Sequence, residues 1–251
     1  MVGILLHIST LQVVNIVLVL ALLFLVYRYF ESTWSYKISK PFAWEEAMKK
    51  GEVSKGLVKL ERNYRDRVRF YNFWFQIKEL DKQNVQGAFA ELGVHQGETA
   101  KIIHQMAPER KLYLFDTFEG FSKSDLDQED QNDERFSPTM FSDTSVNEVA
   151  QYIGGNSNIT FKAGLFPETT AGLENEQFAF VNIDADLYAP TLEALRFFYP
   201  RLSAQGALII HDYYHNWDGV KKAVDEFMPT IPESLIAIPD WQGSVMIVKN
   251  G

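Results

Sequence analysis

Apolar and polar positions follow two different patterns along this chain of 251 residues. The first is a long uncharged stretch: no Asp, Glu, Lys or Arg occurs from Ile4 to Tyr27, and Val13–Val26 is apolar apart from Asn15. As a helix, the stretch would rise about 36 Å, which exceeds the roughly 30 Å hydrocarbon core of a bilayer. Residues 1–30 are therefore predicted to form a transmembrane anchor.

Two other interpretations of this stretch fit less well. A cleaved signal peptide needs a basic segment before the apolar residues and a small-residue cleavage site, and neither is present. A core helix of a globular protein has a polar face, which Ile16–Tyr27 lacks.

The nearest basic residues all follow the stretch: Arg28, Lys37, Lys40, Lys49 and Lys50. The positive-inside rule then predicts a single-pass membrane protein with its C-terminal bulk in the cytoplasm.

The second pattern, from residue 31 onward, is typical of an α/β domain. Residues 31–59 are predicted to be a juxtamembrane linker with a short helix at Trp44–Lys50, and helical spacing of apolar side chains predicts one helix over 60–83. Strands are predicted at 88–94, 111–116, 159–163, 178–183 and 207–211, helices at 99–106, 145–153, 190–202 and 219–228, and a final hairpin at 235–238 and 244–249. This alternation predicts a mostly parallel seven-stranded sheet with helices on both faces, in one domain over 60–251.

Composition narrows the classes of protein to which this domain can belong. The chain has no cysteine, which excludes disulfides and thiolate metal sites, and its net charge of −9 argues against a nucleic-acid partner. Lys123–Arg135 contains six acidic and two basic residues. Because this segment has little apolar surface, it is predicted to be a solvated loop, and its place after a strand makes it a candidate lid.

Ligands of parallel α/β sheets bind at the carboxyl ends of the strands. Glu91, Gly93 and Gly97 lie between the first strand and the following helix. Two glycines at this place let the backbone turn tightly and approach a ligand, although a purely structural turn has the same signature. Asp116 ends the second strand, 25 residues after Glu91, where an acid can bind both hydroxyls of a ribose. Together these residues favour an adenosine site.

Polar residues also end the fourth and fifth strands. Asp184 and Asp186 follow the fourth strand, and His211 and Asp212 follow the fifth. Since consecutive strands in such folds are usually neighbours, Asp184, His211 and Asp212 are predicted to lie close together. A cluster of this kind binds a divalent ion or supplies a general base. For Asp186 a structural role as the cap of a turn has nearly equal weight, and simple packing is the alternative for His211.

Five blocks of sequence, in this order, resemble a known family: GAFAELGVHQGETA (87–100), LYLFDTFEGF (112–121), GLFPET (164–169), FVNIDADLYAPTLEALRFFYPRL (180–202) and GALIIHDYYHNWDGVKKAVDEF (206–227). Over roughly residues 60–250 the chain is similar to the macrocin O-methyltransferase family, which methylates sugar hydroxyls in macrolide biosynthesis. The resemblance implies a class I methyltransferase-like, Rossmann-like fold, S-adenosylmethionine as the methyl donor and usually a magnesium ion at the acceptor site.

The resemblance also assigns residues to the donor. By position, Glu91, Gly93 and Gly97 would line the methionine and ribose part of S-adenosylmethionine, and Asp116 would hold the ribose hydroxyls. The adenine would be flanked by Thr117 and Phe118, together with the neighbouring Glu119.

At the acceptor side, the resemblance implies that Asp184, His211 and Asp212 are metal ligands. The family usually has two consecutive aspartates where this chain has His211 and Asp212. Histidine can ligate a divalent metal, but magnesium prefers oxygen, so the departure places magnesium dependence in question. It also makes His211 a candidate base; Asp184 and His211 are the predicted catalytic residues.

The predicted anchor suggests an acceptor close to the membrane, such as a lipid-linked saccharide, beside the small-molecule sugars of the family; a homo-oligomer stays open. Two functions of other classes compete. A membrane-bound glycosyltransferase uses Asp-x-Asp, here Asp184 and Asp186, to hold manganese and a nucleotide sugar, but it does not need the glycine loop and Asp116. A catalytically silent anchored adaptor would bind no donor, or bind it without turnover.

Overall fold

A computed structural model describes residues 9–35, 40–129, 136–216 and 218–251 of the chain. The chain divides into two compact units, residues 1–62 and 63–251. Each unit contains secondary structure that the sequence pattern predicted, with two differences in the segment before the sheet.

The first unit is helical. Its elements are α1 (Thr10–Ser35), α2 (Phe42–Lys49) and α3 (Lys55–Asn63). Thr10–Thr33 is long and apolar enough to cross a membrane, and its side chains are exposed in the structure. Signal sequences share that length and composition, so the membrane span stays a proposal. The predicted linker is largely helical, since α2 and most of α3 lie within it, and a buried ion pair joins Lys40 Nζ to Glu61 Oε2 at 3.5 Å.

The single helix predicted over residues 60–83 is wrong. The structure has α3 up to Asn63 and a separate helix, α4, at Arg67–Lys82. The reason is Asp66, whose carboxylate accepts a hydrogen bond from the backbone N–H of Arg69 at 3.0 Å and so caps the start of α4. An aspartate in the N-cap position satisfies amide groups that a new helix leaves unpaired, which favours a break at this point.

The second unit is built on a seven-stranded sheet with the order β3-β2-β1-β4-β5-β7-β6. Its strands are β1 (Ala88–Leu92), β2 (Leu112–Asp116), β3 (Ile159–Ala163), β4 (Phe178–Ile183), β5 (Leu202–Ile210), β6 (Ile236–Ala237) and β7 (Val245–Val248). The first five strands pair in parallel, and β7 pairs antiparallel with β5 and β6. The predicted mostly parallel sheet and terminal hairpin are confirmed.

The remaining helices of this unit are α5 (Glu98–Met106), α6 (Lys123–Leu126), α7 (Val146–Ile153), α8 (Tyr188–Arg201) and α9 (Asp218–Phe227). The strands β1 and β4 are buried along their whole length, as the continuous apolar runs predicted. The order reverses between β1 and β4, which opens a cleft at the carboxyl ends of both strands.

The predicted acidic loop begins differently from expectation. Its first residues form the short helix α6, because the hydroxyl of Ser122 caps it by accepting from the backbone N–H of Asp125 at 3.1 Å. The rest of the candidate lid, residues 130–135, lies outside the described residues.

Candidate active site

A cavity of about 750 Å³ opens at the carboxyl ends of the central strands. One side is formed by the loops that follow β1 and β2, and the other by the ends of β4 and β5, the turn before α4 and the β6–β7 turn. Members of both groups of residues singled out from the sequence therefore meet at one cavity.

Asp116 organises the first side. Its Oδ2 atom accepts hydrogen bonds from the backbone N–H groups of Val94 at 2.7 Å and His95 at 2.8 Å, and its Oδ1 atom accepts from the N–H of Phe118 at 2.7 Å. A carboxylate offers about four acceptor positions. The loops after β1 and β2 together thus use three of these positions, and one stays available for a hydroxyl in the cavity.

The glycines of this loop are needed for two reasons: their φ angles are positive, and a Cβ atom at either position would lie too close to a neighbouring atom. Gly93 has φ +84°, and a Cβ atom there would lie 1.9 Å from the backbone oxygen of Asp184. The loop after β1 and the end of β4 therefore touch through backbone alone. Gly97, with φ +81°, begins α5, and a Cβ atom there would lie 2.7 Å from Cγ1 of Val149.

The predicted donor residues divide into two sets. Gly93, Asp116 and Thr117 line the cavity, whereas Glu91, Gly97 and Phe118 lie outside its lining. Glu91 is fully buried, and one of its oxygens accepts a hydrogen bond from Nδ2 of Asn182 at 2.7 Å. Burial raises the pKa of the Glu91 carboxyl to about 7. These three residues thus belong to the strand and loops that carry the cavity surface, but not to that surface itself.

On the opposite side, Asp184, His211 and Asp212 lie together as predicted. Nδ1 of His211 lies 2.8 Å from Oδ1 of Asp184 and 3.1 Å from Oδ2 of Asp212. The parallel register of β4 and β5, in which Ile183 pairs with Ile210, brings these strand ends side by side. The imidazole is only 5% exposed, so its interaction with the carboxylates is poorly screened by water.

A fourth member of this cluster, Arg69, was not predicted. It lies in the first turn of α4, and its Nη2 atom donates to Oδ2 of Asp184 at 2.8 Å. The same nitrogen lies 3.4 Å from Oδ1 of Asn182. Arg69 is more than 100 residues from Asp184 in sequence, and on an amphipathic helix it looks like any solvated cation. Only the tertiary structure identifies it as a buried one.

The charges in the cluster shift one another's pKa values. Burial opposes ionisation of Asp184, but the positive charges of His211 and Arg69 outweigh it and hold the Asp184 pKa below its ordinary value. Burial would also lower the pKa of His211; the Asp184 carboxylate outweighs that effect and raises it to about 9. The cluster is thus a set of coupled opposite charges.

Asp186 joins the same wall of the cavity. Its backbone has φ +63°, a left-handed conformation that aspartate tolerates better than most residues. Burial, together with the charges of Asp184 and Asp212, raises the pKa of Asp186 well above its ordinary value. The sequence pattern left two roles open for Asp186, a structural one in a turn and a functional one. In the structure Asp186 has both the backbone conformation of a turn residue and a carboxyl group whose pKa is shifted by its surroundings.

The ligand atoms of the cluster can be compared with the coordination that a divalent ion requires. Asp184, His211 and Asp212 each offer one ligand atom, and these atoms lie within 4.8 Å of one another. Magnesium demands near-octahedral oxygen coordination, however, and one of the three donors is an imidazole nitrogen. Both oxygens of Asp184 are also occupied by nitrogen donors, Oδ1 by His211 and Oδ2 by Arg69. The residues present do not fit a magnesium ion.

The rim beside this cluster is aromatic and basic. The guanidinium of Arg65 lies 4.0 Å from the ring centroid of Trp241, and the backbone N–H of Trp241 donates to Oδ2 of Asp66 at 2.8 Å. Gln242 donates from Nε2 to Oδ1 of Asp212 at 2.9 Å. The β6–β7 turn is thereby fastened to the start of α4 and to the cluster, with the Trp241 ring 65% exposed at the mouth.

The model of the macrocin O-methyltransferase (TylF) family matches residues 48–246 of this chain. This range covers more than half of the chain and includes every residue that lines the cavity. The chain belongs to the macrocin O-methyltransferase family. The resemblance drawn from the five sequence blocks is thereby confirmed.

Two curated relatives are similar at lower coverage. Mycinamicin III 3''-O-methyltransferase of Micromonospora griseorubida is 26% identical over 158 residues, 58% of this chain and 62% of that protein. An 8-demethyl-8-(2,3-dimethoxy-alpha-L-rhamnosyl)-tetracenomycin-C 4'-O-methyltransferase of Streptomyces olivaceus is 26% identical over 159 residues, 58% of this chain and 60% of that protein. The chain spans about three fifths of the length of these relatives.

Solved structures support the fold. The O-methyltransferase NovP superposes with a TM-score of 0.64 at 24% identity, covering 74% of this chain and 81% of that chain. The second unit therefore has the class I methyltransferase-like α/β fold, as the sequence pattern and the resemblance predicted.

Proposed function

We propose that this protein is an S-adenosylmethionine-dependent O-methyltransferase that acts on a hydroxyl of a sugar or glycoconjugate. The observation that carries the proposal is the convergence of two chemically different walls at one cavity. One wall presents Asp116 and the loop that it organises, and the other presents the cluster of Asp184, His211 and Asp212. Family membership and the names of the two relatives support the same reaction class.

The first wall holds the donor. Asp116 keeps one acceptor position for a ribose hydroxyl, and Gly93 lets the loop after β1 lie directly against the end of β4, where both line the cavity. Thr117, at the cavity edge, flanks the adenine. S-adenosylmethionine supplies a methyl group on a sulfonium centre, and the acceptor oxygen displaces the sulfur in line. The chain's contribution to this step is to hold both reactants in near-attack geometry.

The second wall accepts the proton that the acceptor hydroxyl loses. Nδ1 of His211 is engaged by Asp184 and Asp212, so the proton leaves the hydroxyl for Nε2. With a pKa raised to about 9, His211 carries a proton at neutral pH in most molecules. The basic form, and with it the rate, therefore increases with pH up to about 9, instead of levelling off near the ~6.5 of an unperturbed histidine.

The second part of the proposal concerns location. Helix α1 anchors the protein by a single span, with the catalytic unit, taken as residues 60–251, in the cytoplasm. Its support is the uncharged stretch, the exposure of its side chains and the basic residues that follow it. An acceptor at or near the membrane, such as a lipid-linked saccharide, follows from this location.

Methyl transfer to an unidentified acceptor can be detected directly. Full-length protein in detergent is incubated with methyl-labelled S-adenosylmethionine and a membrane extract of the producing cells, and the lipid-linked and free saccharide fractions are counted. We expect label in a saccharide fraction, and none with Asp184→Asn. Label confined to protein or nucleic acid would contradict the proposal, as would binding of UDP-sugars without binding of the methyl donor.

The location has its own test. The protein should stay in membranes after carbonate extraction, and a C-terminal reporter should be active only in the cytoplasm. Release by carbonate, or a reporter on the other side, would contradict the anchor or its orientation.

A further inference from the structure

Arg69 distinguishes this cluster from an open set of metal ligands. Its side chain is 7% exposed, and Asp66 fixes its place by capping the helix that carries it. The guanidinium reaches Oδ2 of Asp184 at 2.8 Å and lies 3.4 Å from Oδ1 of Asn182. A guanidinium keeps its positive charge at any pH that a protein tolerates. Asp184 therefore faces a permanent cation inside the protein.

The two oxygens of Asp184 have different cationic partners. Oδ2 accepts from Arg69, and Oδ1 lies 2.8 Å from Nδ1 of His211. A divalent ion on Asp184 would have to share these oxygens with the two donors and would then lie beside the charge of Arg69. Like charges at that separation repel strongly in a site shielded from water. The guanidinium is an obstacle to any divalent ion at Asp184, and the nitrogen donor at 211 is a second, independent obstacle to magnesium.

We propose that Arg69 and His211 together replace a divalent ion in this protein, so that its methyl transfer needs no metal. The catalytic part of this inference, a methyl transfer that needs no metal, rests on the proposed function. The structural part, that Arg69 and His211 occupy the place of a divalent ion, does not. Arg69 supplies a permanent positive charge beside Asp184, and His211 joins Asp184 to Asp212 through Nδ1 and becomes positive as it takes the proton of the acceptor hydroxyl. Arg69 is a positioning residue in this scheme, since it acts through Asp184.

Metal binding tests the inference without any need for turnover. Mn²⁺, which accepts both oxygen and nitrogen ligands, is titrated into full-length protein in detergent and followed by electron paramagnetic resonance. We expect no saturable binding to the wild type, and one ion per chain in the double variant Arg69→Met/His211→Asp, which removes the guanidinium and supplies a second aspartate. Arg110→Met is the matched control, because Arg110 pairs with Asp81 at 3.0 Å at the other end of the sheet; it should behave as the wild type.

The inference would be overturned if both the wild type and the double variant bind Mn²⁺, and also if neither of them does. If the double variant does not fold, the wild-type titration decides alone: saturable binding contradicts the proposal, and none supports it.

Turnover gives a second readout. EDTA should leave the wild-type rate unchanged, Arg69→Met should lower it on the order of 10²-fold without loss of donor affinity, and Arg69→Lys should recover part of the rate. A rate that EDTA abolishes and magnesium restores would overturn the inference. Failure of the proposed function itself would appear differently, as absent donor binding and absent turnover, with the Mn²⁺ result unaffected.

Discussion

The two walls of the cavity are built by different means. In the donor wall, Asp116 binds backbone groups of the loops next to it, and its hydrogen bonds join residues at most 22 positions apart. The acceptor wall is assembled from distant parts of the chain, since Arg69 meets Asp184 across 115 positions and His211 meets it across 27. The donor wall depends on backbone and shape, whereas the acceptor wall depends on buried charges whose removal leaves others unpaired.

This difference predicts where substitutions have the largest effect. In the donor wall a lost side chain weakens a ligand contact and loosens a loop. In the acceptor wall the loss of Asp184 leaves the buried cation Arg69 without its anion, which costs more than the interaction itself contributed. The predictions below begin with that largest effect.

Asp184→Ala should destabilise the protein by about 3–5 kcal/mol, because Arg69 would stay buried without the carboxylate that it binds and His211 would keep only Asp212 of its two carboxylates. Denaturant unfolding of the full-length protein in detergent measures the change. Asp81→Ala is the matched control: its carboxylate pairs with Arg110 but is 53% exposed, so its loss should cost less than about 1 kcal/mol. Equal losses in the two variants would show that the acceptor cluster is not held by buried charge.

Glu91 predicts a pH dependence of stability. Burial raises its folded-state pKa from 4.5 to about 7, so its stabilising contribution is complete below pH 4.5 and is lost as the pH rises through about 7. The loss should be on the order of 3 kcal/mol. His211, raised from 6.5 to about 9, adds a further loss between those values.

Glu91→Gln removes the first titration, so the unfolding temperature should fall less between pH 4.5 and 7 than in the wild type. Glu79→Gln, on the exposed face of α4, should follow the wild-type curve. Identical curves for Glu91→Gln and the wild type would contradict the raised pKa.

Asp116→Ala should weaken binding of S-adenosylmethionine by about 1.5–3 kcal/mol, because a charged hydrogen bond to the ribose is lost. Calorimetry measures the affinity. Asp143→Ala is the control, since Asp143 holds the same loop through His95 at 2.8 Å but does not line the cavity. Donor affinity that is unchanged by Asp116→Ala, or reduced equally by both, would remove Asp116 from the donor contact.

The contact between the two walls predicts a smaller effect. Gly93→Ala and Gly172→Ala both place a side chain at φ +84°, but only the former meets another atom, 1.9 Å away, while the latter has nothing within 4 Å. Gly93→Ala should therefore be less stable than Gly172→Ala by about 1–3 kcal/mol, the usual cost of overpacking. Equal unfolding midpoints would show that the walls can separate without cost.

The same contrast explains what sequence reasoning could predict. Strands, glycine turns and strand-end acids have local signatures, so the sheet, Asp116 and the proximity of Asp184, His211 and Asp212 were predictable. Arg69 was not, because its partner is fixed by how α4 packs against the sheet. The break before α4 was missed because Asp66 interrupts a continuous apolar periodicity with a capping hydrogen bond that spacing does not reveal.

The central claim is that this cavity binds a methyl donor on the wall formed by Asp116. Calorimetric titration of the full-length protein in detergent with S-adenosylmethionine, and separately with UDP-sugars, tests it most directly. The account predicts saturable binding of one S-adenosylmethionine per chain, unaffected by EDTA, and no heat of binding with UDP-sugars. Saturable binding of a UDP-sugar, with none of S-adenosylmethionine, would contradict it.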